Sequence, residues 1–265
     1  MKTIFITGAS SGLGKATAKL FAANGWNVIA TMRRPEQETE LGQIPNITLL
    51  PLDVTNLQQV RSTVQQAIAL SDIDVVFNNA GYGLMGPLEA ISDEQIVRQF
   101  DTNLLGVIRV AQAFIPYFRE KKRGLFLTTT SIGGHITFPF SSLYHATKWA
   151  LEGWNESMAF ELRKIGVGTK TIAPGGIQTD FIGRSLDFSP HPAYQQWTDS
   201  LFAGIEQHQF SPVEAIAAVV YEAATDGKDQ LVYLAGPDAE AMHARRRELG
   251  NEAFHQQMEA TFLGA

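Results

Sequence analysis

The sequence contains no cysteine. This absence excludes disulfide bonds, thiolate metal sites and cysteine nucleophiles. The six histidines form no H-E-x-x-H pattern and show no other spacing typical of metal ligands, so we expect no metal site. The residue types present therefore point away from thiol and metal chemistry.

Positive charge and long apolar runs are also scarce. The net charge is −6 over 265 residues, and no basic run is interleaved with aromatic residues, which argues against nucleic acid as a partner. The apolar part of MKTIFITGAS is too short for the core of a signal peptide, and no stretch reaches the length needed to span a membrane. We therefore expect a cytoplasmic protein that binds neither nucleic acid nor a membrane.

Hydrophobic residues, by contrast, make up 45% of the chain, which is enough for a large core. Short β-branched runs alternate with amphipathic helical segments, and the predicted strands are KTIFIT, NVIAT, ITLLPL, DVVFNN, GLFLTTT, VGTKTIA and QLVYLAG. Such alternation predicts right-handed crossovers and a parallel sheet covered on both faces. The predicted fold class is therefore α/β, a single doubly wound domain of the Rossmann type over residues 1–265, with seven parallel strands flanked by helices.

Three segments depart from this rhythm. The helical pattern from Asp93 to Arg119 contains Pro116, near which we expect the helix to end or bend. Residues 184–208 include two prolines and several aromatics; they are too long for a plain connection and are predicted to form a lid over a substrate. Residues 238–265 are rich in Arg and Glu and predict a solvated helical tail.

A glycine-rich turn follows the first predicted strand. The sequence GASSGLG places Gly8, Gly12 and Gly14 between that strand and the next helix. Glycine lets backbone N–H groups approach a diphosphate at the positive end of a helix. An ordinary turn is the alternative, but the position in the first βαβ unit favours a dinucleotide site.

The end of the second strand bears on which dinucleotide binds. An acidic residue would bond the ribose 2′-hydroxyl of NAD, but the chain has Met32, Arg33 and Arg34 there. A guanidinium can instead grip a 2′-phosphate through charge-assisted hydrogen bonds. Solvated loop arginines are the alternative explanation. We predict NADP as the cofactor, with NAD the less favoured choice.

The stretch YHATK places Tyr144 and Lys148 four residues apart, on one face of a predicted helix. A surface pair of an amphipathic ring and a solvated ammonium is the ordinary explanation. The question is whether the rest of the chain gives this tyrosine a reason to exchange its proton near neutral pH.

Ordered motifs along the chain answer that question. TGASSGLG, NNAG, DTNLLG, TTTSIGG, YHATK and PGGIQT follow one another over nearly the whole sequence, and Ser131 lies thirteen residues before Tyr144. In this order and spacing the chain resembles the short-chain dehydrogenase/reductases. NAGYGLMGPLE and YHATKWALEGWNESM are similar to the group that contains 17β-hydroxysteroid and retinol dehydrogenases.

The resemblance implies an NADP(H)-dependent oxidoreductase that interconverts a ketone or aldehyde with an alcohol. A catalytically silent NADP-binding sensor or interaction protein is the main alternative, and an isomerase on the same scaffold is another. Relatives pair subunits through long helices, so a homodimer or homotetramer is expected.

The resemblance also implies roles for four catalytic residues. Tyr144 is the acid or base, and Lys148 lowers its pKa and holds the nicotinamide ribose. Ser131 bonds the substrate oxygen, and Asn103 holds a water that links Lys148 to solvent; an Asn103 that bonds only main chain is the alternative. His145 points about 100° away from Tyr144 around the helix and is expected to be structural.

A larger set is implied for the cofactor. Asp53 is expected at the adenine amino group, Asn79 to Gly81 beside the adenosine ribose, and the residues after the sixth strand along the nicotinamide. The whole set is Gly8, Ser10, Ser11, Gly12, Leu13, Gly14, Arg33, Arg34, Asp53, Val54, Asn79, Ala80, Gly81, Tyr144, Lys148, Pro174, Gly175, Ile177 and Thr179.

Apolar residues surround the expected substrate pocket, and no Arg or Lys is aimed at a substrate carboxylate or phosphate. They are Leu84, Met85, Phe138, Phe140, Phe181, Ile182, Phe188 and Trp197. A small apolar carbonyl compound or alcohol is therefore the predicted substrate, although about half of such residues are ordinary core in sites of this kind.

Overall fold

The computed structural model describes residues 1–178, 185–206 and 210–264. Its central feature is a sheet of seven parallel strands, as predicted. In chain order these strands are β1 (Thr3–Thr7), β2 (Asn27–Met32), β3 (Ile47–Pro51), β4 (Val75–Asn78), β6 (Leu125–Thr129), β7 (Gly168–Pro174) and β11 (Val232–Ala235). Each of the seven predicted runs corresponds to one of them.

The strand order across the sheet is β11-β7-β6-β4-β1-β2-β3. The chain builds outward from β1 through β2 to β3 and then returns to β4 on the other side of β1. Ligands in such sheets bind in the crevice outside the carboxyl ends of the strands, at this reversal point. The fold therefore places a crevice beyond Thr7 and Asn78.

Helices cover both faces of the sheet. They are α1 (Gly12–Ala23), α2 (Leu57–Leu70), α3 (Asp93–Phe100), α4 (Gly106–Lys121), α5 (Ser142–Arg163), α6 (Gln195–Glu206), α7 (Val213–Thr225), α8 (Pro237–Leu249) and α9 (Asn251–Leu263). On one face α1 and α7 pack over Ile4 and Ile6. On the other, α2 and α4 pack over Phe5. Strands buried on both faces read as continuous apolar runs, which is why β1 is TIFIT.

The long helical pattern from Asp93 is interrupted, but not at Pro116. The backbone N–H of Gly106 bonds the carbonyl of Asp101, five residues back, so Asp101–Leu105 forms a π-turn between α3 and α4. Pro116 lies inside α4, which continues to Lys121. The prediction that the helix ends near Pro116 is therefore wrong.

The predicted lid stretch is folded where the structure describes it. The short strand β9 (Leu186–Phe188) pairs in parallel with β5 (Gly83–Met85), and a 3₁₀ turn and α6 follow it. A second small ribbon joins β8 (Ile177–Gln178) to β10 (Ser211–Pro212). Residues 184, 207 and 208 of the predicted lid lie outside the described residues.

The C-terminal tail is two helices, α8 and α9, and one face of α9 is not solvated. Phe254, Met258 and Phe262 are buried in a third apolar cluster with Ile132 and Ile136. The prediction of a solvated tail is wrong for this face, because the Arg and Glu content of α8 masked apolar residues spaced four apart in α9. None of the helices in the described ranges combines the length and apolar character needed to cross a bilayer.

Candidate active site

The glycine-rich turn forms a close-fitting cradle between β1 and α1. A Cβ atom on Gly8 would lie 2.8 Å from the Ala80 Cα, and one on Gly14 would lie 2.3 Å from the Gly8 carbonyl oxygen. Gly8 and Gly12 have φ values of 68° and 51°, which favour glycine. Ser11 precedes α1, and its side chain caps no N–H of that helix. The cradle therefore fits a diphosphate at the helix N-terminus.

The other predicted members of this turn differ in exposure. Ser10 is exposed, whereas Leu13 is buried in the core. Val54, after β3, is buried on the opposite face of the sheet, where a Cβ atom on Gly106 would lie 2.7 Å from its Cγ2. Leu13 and Val54 thus position backbone at the crevice and expose no side chain to it.

Asn79 ties three strand ends together. Its backbone N–H and that of Ala80 donate to Thr7 Oγ1 at 2.9 and 3.0 Å. Its Nδ2 donates to the carbonyls of Thr7 and Gly8, both at 3.2 Å, and its Oδ1 accepts from Thr129 Oγ1 at 3.2 Å. The Asn79 side chain therefore holds the ends of β1, β4 and β6 together at the base of the crevice. The adenosine ribose is predicted to lie beside this segment.

The end of β2 exposes two guanidinium groups. Arg33 and Arg34 are exposed, and within the described part of the chain neither side chain forms a hydrogen bond or an ion pair. Met32 is only 3% exposed and packs in the core. The two arginines are therefore available to an anion, while Met32 faces away from it.

Acidic groups near this end of the crevice are already engaged. Lys15 Nζ lies 3.2 Å from Glu38 Oε1 and 3.1 Å from Glu40 Oε1. Asp53 Oδ1 accepts from the backbone N–H of Thr55 at 3.0 Å and from its hydroxyl at 2.7 Å. These contacts fix the loops after β2 and β3 and leave the arginine charge less opposed.

Ser131, Tyr144 and Lys148 come together beyond the end of β6. Ser131 opens a 3₁₀ turn, and its Oγ accepts from the Gly133 N–H at 3.0 Å. Lys148 Nζ donates to the Thr129 carbonyl at 2.9 Å and lies 5.6 Å from the centre of the Tyr144 ring. Ser131 lies beside the Tyr144 hydroxyl and acts on its pKa as a hydrogen-bond partner. Ser131, thirteen residues before Tyr144, and Lys148, four residues after it, therefore both lie next to Tyr144.

The surroundings shift the pKa values of both titratable groups in this set. Burial raises the pKa of Tyr144, and the bond to Ser131 opposes this by lowering it. Burial lowers the pKa of Lys148 to about 8, and the negative charge of Glu152 opposes this by raising it. The net shift of the Tyr144 pKa is upward and Lys148 is not among its causes, so the structure contradicts the expectation that Lys148 lowers this pKa. At neutral pH Tyr144 holds its proton and is available as an acid.

Glu152 is a neighbour that the sequence interpretation missed. Its Oε2 accepts from Thr171 Oγ1 at 3.0 Å, and its Oε1 lies 3.2 Å from His135 Nε2. Its side chain is 13% exposed. The signal was present, because Tyr144, Lys148 and Glu152 are each four residues apart and share one face of α5.

Asn103 lies in the π-turn with its side chain bonded to main chain. Its Nδ2 donates to the Tyr82 carbonyl at 2.8 Å, and its Oδ1 accepts from the Tyr82 N–H at 3.0 Å. A Cβ atom on Gly81 would lie 3.1 Å from that oxygen. The amide therefore fixes the loop after β4 against the helix, and its Nδ2 also lies 3.5 Å from Thr147 Oγ1 on α5, so Asn103 does not bond main chain alone.

The turn after β7 is held by two residues that no motif indicated. A Cβ atom on Gly175 would lie 2.1 Å from Asp238 Oδ2, and one on Gly176 would lie 2.1 Å from Phe210 Cδ1. Asp238 Oδ2 accepts from the Gly176 N–H at 2.7 Å. The two glycines are thus explained by side chains that are distant in sequence.

The other residues predicted to border the nicotinamide adjoin this turn. Pro174 ends β7, and Ile177 pairs with Ser211. Thr179 lies outside the described residues. The described part of the segment therefore follows the carboxyl end of the sheet, next to the crevice.

Aromatic rings line the rim near the start of α5. An open cavity of about 500 Å³ is bordered by Gly86, Pro87, Phe140 and Tyr194, and the last two rings meet edge to face. The other predicted pocket residues vary in position. Leu84 is fully buried, and Met85 and Phe138 adjoin the third cluster. Phe188 packs on Phe202, Trp197 is 42% exposed, and Phe181 and Ile182 lie outside the described residues. Leu88, Glu89 and Ser142 also line the cavity, so the rim is mainly apolar but includes the Glu89 carboxylate.

The arrangement of a glycine cradle, a strand-end serine and a Tyr-x-x-x-Lys pair is matched by a family model. The model described as short chain dehydrogenase matches residues 2–187. The chain belongs to this family. As a short-chain dehydrogenase it is an oxidoreductase that uses NAD or NADP, and its substrate is a small molecule.

Relatives support this assignment. An oxidoreductase of Botryotinia fuckeliana is 37% identical over 246 residues, which are 90% of each chain. A protein of Bacteroides thetaiotaomicron named 3-ketodihydrosphingosine reductase is 38% identical over 179 residues, which are 67% of this short-chain dehydrogenase and 65% of the relative. Neither name refers to the 17β-hydroxysteroid and retinol group, so that narrower placement stays a prediction.

Solved structures agree with the fold. A short-chain dehydrogenase from Streptomyces avermitilis has a TM-score of 0.85 at 29% identity, covering 98% of this chain and 94% of that one. One from Burkholderia cenocepacia, in complex with NADP, has a TM-score of 0.79 at 25% identity and covers 97% and 99%. The doubly wound sheet of this short-chain dehydrogenase is thus that of its family.

Proposed function

We propose that this enzyme uses NADP(H) to interconvert an apolar ketone or aldehyde and the corresponding alcohol, with Tyr144 as the acid or base. The observation that carries the proposal is the meeting of Ser131, Tyr144 and Lys148 at the carboxyl end of β6, beside the crevice. A binding protein without catalysis needs the glycine cradle but not these three side chains in one place.

NADP(H), when bound in the crevice, would provide the hydride for reduction and the hydride acceptor for oxidation. Tyr144 donates its proton to the carbonyl oxygen in reduction and removes it from the alcohol in the reverse direction. The Gly133 N–H donates to Ser131 Oγ and so fixes the hydroxyl beside Tyr144, where it can bond the substrate oxygen. Lys148 adds a buried positive charge on the side where negative charge develops.

The proposed cofactor contacts follow the crevice from one end to the other. Gly8, Gly12 and Gly14 carry the diphosphate, and Asp53 and the segment Asn79 to Gly81 border the adenosine. Arg33, assisted by Arg34, pairs with the 2′-phosphate. Lys148 holds the nicotinamide ribose, and Asn103 positions a water near it. The described nicotinamide border is Pro174, Gly175 and Ile177. The exposed arginines support NADP over NAD, whereas the solved neighbours include complexes with both cofactors.

An apolar substrate is supported by the aromatic rim. Phe140 and Tyr194 border the open cavity, and no Lys or Arg of the described residues is among its lining. The name 3-ketodihydrosphingosine reductase, given to one relative, is consistent with a ketone as the reacting group. We propose that the described part of the predicted lid segment, residues 185–206, covers such a substrate.

A screen of ketones, aldehydes and alcohols tests the proposal by following NADPH absorbance with the purified protein. On the best substrate, Tyr144→Phe should lower kcat by about 10²- to 10⁴-fold, because only the proton donor is removed. NADPH affinity should be retained. Tyr221→Phe is the matched control, since Tyr221 packs on Phe21 far from the crevice. A Tyr144→Phe variant with wild-type kcat, or NADPH binding without turnover of any substrate, would contradict the proposal.

A further inference from the structure

His145 follows Tyr144 on α5 and has both ring nitrogens occupied. The side chain is buried, at 4% exposure. Its Nδ1 lies 2.8 Å from the Gly133 carbonyl oxygen, and its Nε2 lies 2.8 Å from the Phe138 backbone nitrogen. A carbonyl only accepts and a backbone N–H only donates, so Nδ1 carries the hydrogen and Nε2 carries the lone pair. The geometry thus requires one neutral tautomer.

Both partners of the ring lie on the segment that joins β6 to α5. Gly133 donates its N–H to Ser131 Oγ at 3.0 Å, and a Cβ atom on Gly133 would lie 2.9 Å from the His145 ring. Phe138 stacks on the imidazole with its ring centre 5.7 Å away. The imidazole therefore connects two parts of the chain. One is the turn that orients Ser131, and the other is α5, which carries Tyr144.

We propose that His145 is a positioning residue, which holds Ser131 in register with Tyr144 and does so only as the neutral Nδ1–H tautomer. A protonated imidazole would place an Nε2–H against the Phe138 N–H, so the Phe138 N–H would lose its acceptor and the new Nε2–H would have none in this contact. The segment from Ser131 to Phe138 would then move away from α5. The inference rests on the proposed function, because Ser131 and Tyr144 act there on the same substrate oxygen.

The charged and titratable groups around His145 leave the imidazole without a counter-ion in the described structure. On α5, the Tyr144 ring meets it edge to face at 5.9 Å, and Lys148 directs its ammonium to Thr129. On the turn after β6, His135 is directed to Glu152, and from α8 Arg246 bonds the His135 carbonyl at 2.7 Å. Burial lowers the pKa of His145, and its bonds to Gly133 and Phe138 oppose this.

The pH dependence of reduction separates this role from that of Tyr144. In reduction the active form of Tyr144 is protonated, so a falling pH does not deplete it. A loss of kcat on the acid side, with NADPH and substrate saturating, therefore comes from another group. If His145 positions Ser131, that loss follows the protonation of His145, at a pH below the ordinary histidine value of about 6.5.

The first test reads the tautomer directly and does not depend on activity. Nitrogen-15 histidine labelling and two-dimensional NMR should show one histidine in the Nδ1–H form at pH 7, neutral through pH 6.5, and absent from the spectrum of His145→Gln. An Nε2–H form, or ordinary titration near pH 6.5, would overturn the inference and leave the proposed function untouched.

The second test compares variants. His145→Leu removes both bonds and should lower kcat by about ten- to a hundredfold, with NADPH affinity retained, because small misplacements of reacting groups are costly. His145→Gln retains a donor and an acceptor and does not titrate, so it should recover part of kcat and lose any acid-side fall.

His255→Gln on the exposed side of α9 is the control and should match the wild type. A His145→Leu variant with wild-type kcat and pH profile would overturn the inference, as would titration of His145 by NMR with no accompanying change in kcat. The Gln variant and the NMR measurement keep the inference testable if His145→Leu fails to fold.

Discussion

At the proposed adenosine end of the crevice, the charges of individual side chains bear on the preference between NADPH and NADH. Arg33 and Arg34 are exposed, while Lys15 engages Glu38 and Glu40, two acidic residues of the loop that follows them. One charge-assisted hydrogen bond to a 2′-phosphate is worth about 1.5–3 kcal/mol, or about ten- to 150-fold in affinity. A preference for NADPH of that size follows if Arg33 makes such a contact.

Arg33→Ala should therefore lower kcat/KM for NADPH by about ten- to 150-fold and leave that for NADH nearly unchanged. Arg33→Ala combined with Arg34→Ala should lower the NADPH value further. Arg119→Ala, an exposed position on α4, is the control. An Asp at Met32 is a poor choice for reversing the preference, because that side chain lies in the core. Equal wild-type values for both cofactors would show that the arginines only face solvent.

Among the elements, the proposed lid has a base that is fixed to β5 and α3, followed by a segment that forms helix α6. The β9 strand pairs with β5, Ser189 donates its N–H to the Met85 carbonyl at 2.9 Å, and Asp187 is bonded by both Arg98 and Gln95 of α3. Beyond this base the chain continues through a 3₁₀ turn into α6, which packs against α9. Closure of the proposed lid therefore involves residues 190–206, after Ser189.

Hydrogen exchange should show this division. Amides of residues 190–206 should exchange quickly without ligand and slow on addition of NADP and substrate, because closure orders such segments. Amides of β9 should be protected in both conditions. Protection over residues 190–206 that is high and unchanged by ligands would contradict a lid. Asp187→Ala should extend the fast exchange into β9, whereas Asp199→Ala on α6 should not.

The elements also show which features local sequence determines. All seven sheet strands were predicted, because a strand buried on both faces is a short apolar run such as TIFIT. The π-turn at Asp101–Leu105 was not predicted, because no local periodicity indicates it. It accompanies the contact between Asn103 and Tyr82, two residues that are distant in the sequence. The catalytic set was predicted from the resemblance, whereas Asp238 against Gly176 depends on a contact between distant parts of the chain.

At the scale of the whole molecule, a buried ion pair joins the sheet to α7. Lys170 Nζ, on β7, lies 2.8 Å from Asp226 Oδ1 and donates to the Ala223 carbonyl at 2.8 Å. Tyr233, on β11, donates to Asp226 Oδ2 at 2.6 Å. Burial would raise the pKa of Asp226, but the bonds from Lys170 and Tyr233 outweigh it and hold the pKa well below its usual range.

Asp226→Asn should lower the free energy of unfolding by about 3–5 kcal/mol at pH 7, because Lys170 would keep a buried charge without its partner. The wild-type contribution is present above the ordinary aspartate pKa near 4 and is lost as pH falls toward the lower folded value. Urea unfolding at pH 7 and at pH 3 measures both effects. Asp229→Asn, in an exposed pair with Arg163, should cost at most about 1 kcal/mol; equal losses in the two variants would contradict this account.

The π-turn between α3 and α4 has a consequence for insertions and deletions in this chain. Its extra residue rotates α3 relative to α4 by about 100° compared with an uninterrupted α-helix. That offset lets Gln95 and Arg98 reach Asp187 while Val110 and Phe114 face the sheet. Loss of one residue from Asp101–Leu105 would leave a regular helix but turn one of these two faces away from its partners. In homologous sequences, a single-residue gap here should therefore coincide with changes at the positions of Gln95, Arg98 and Asp187.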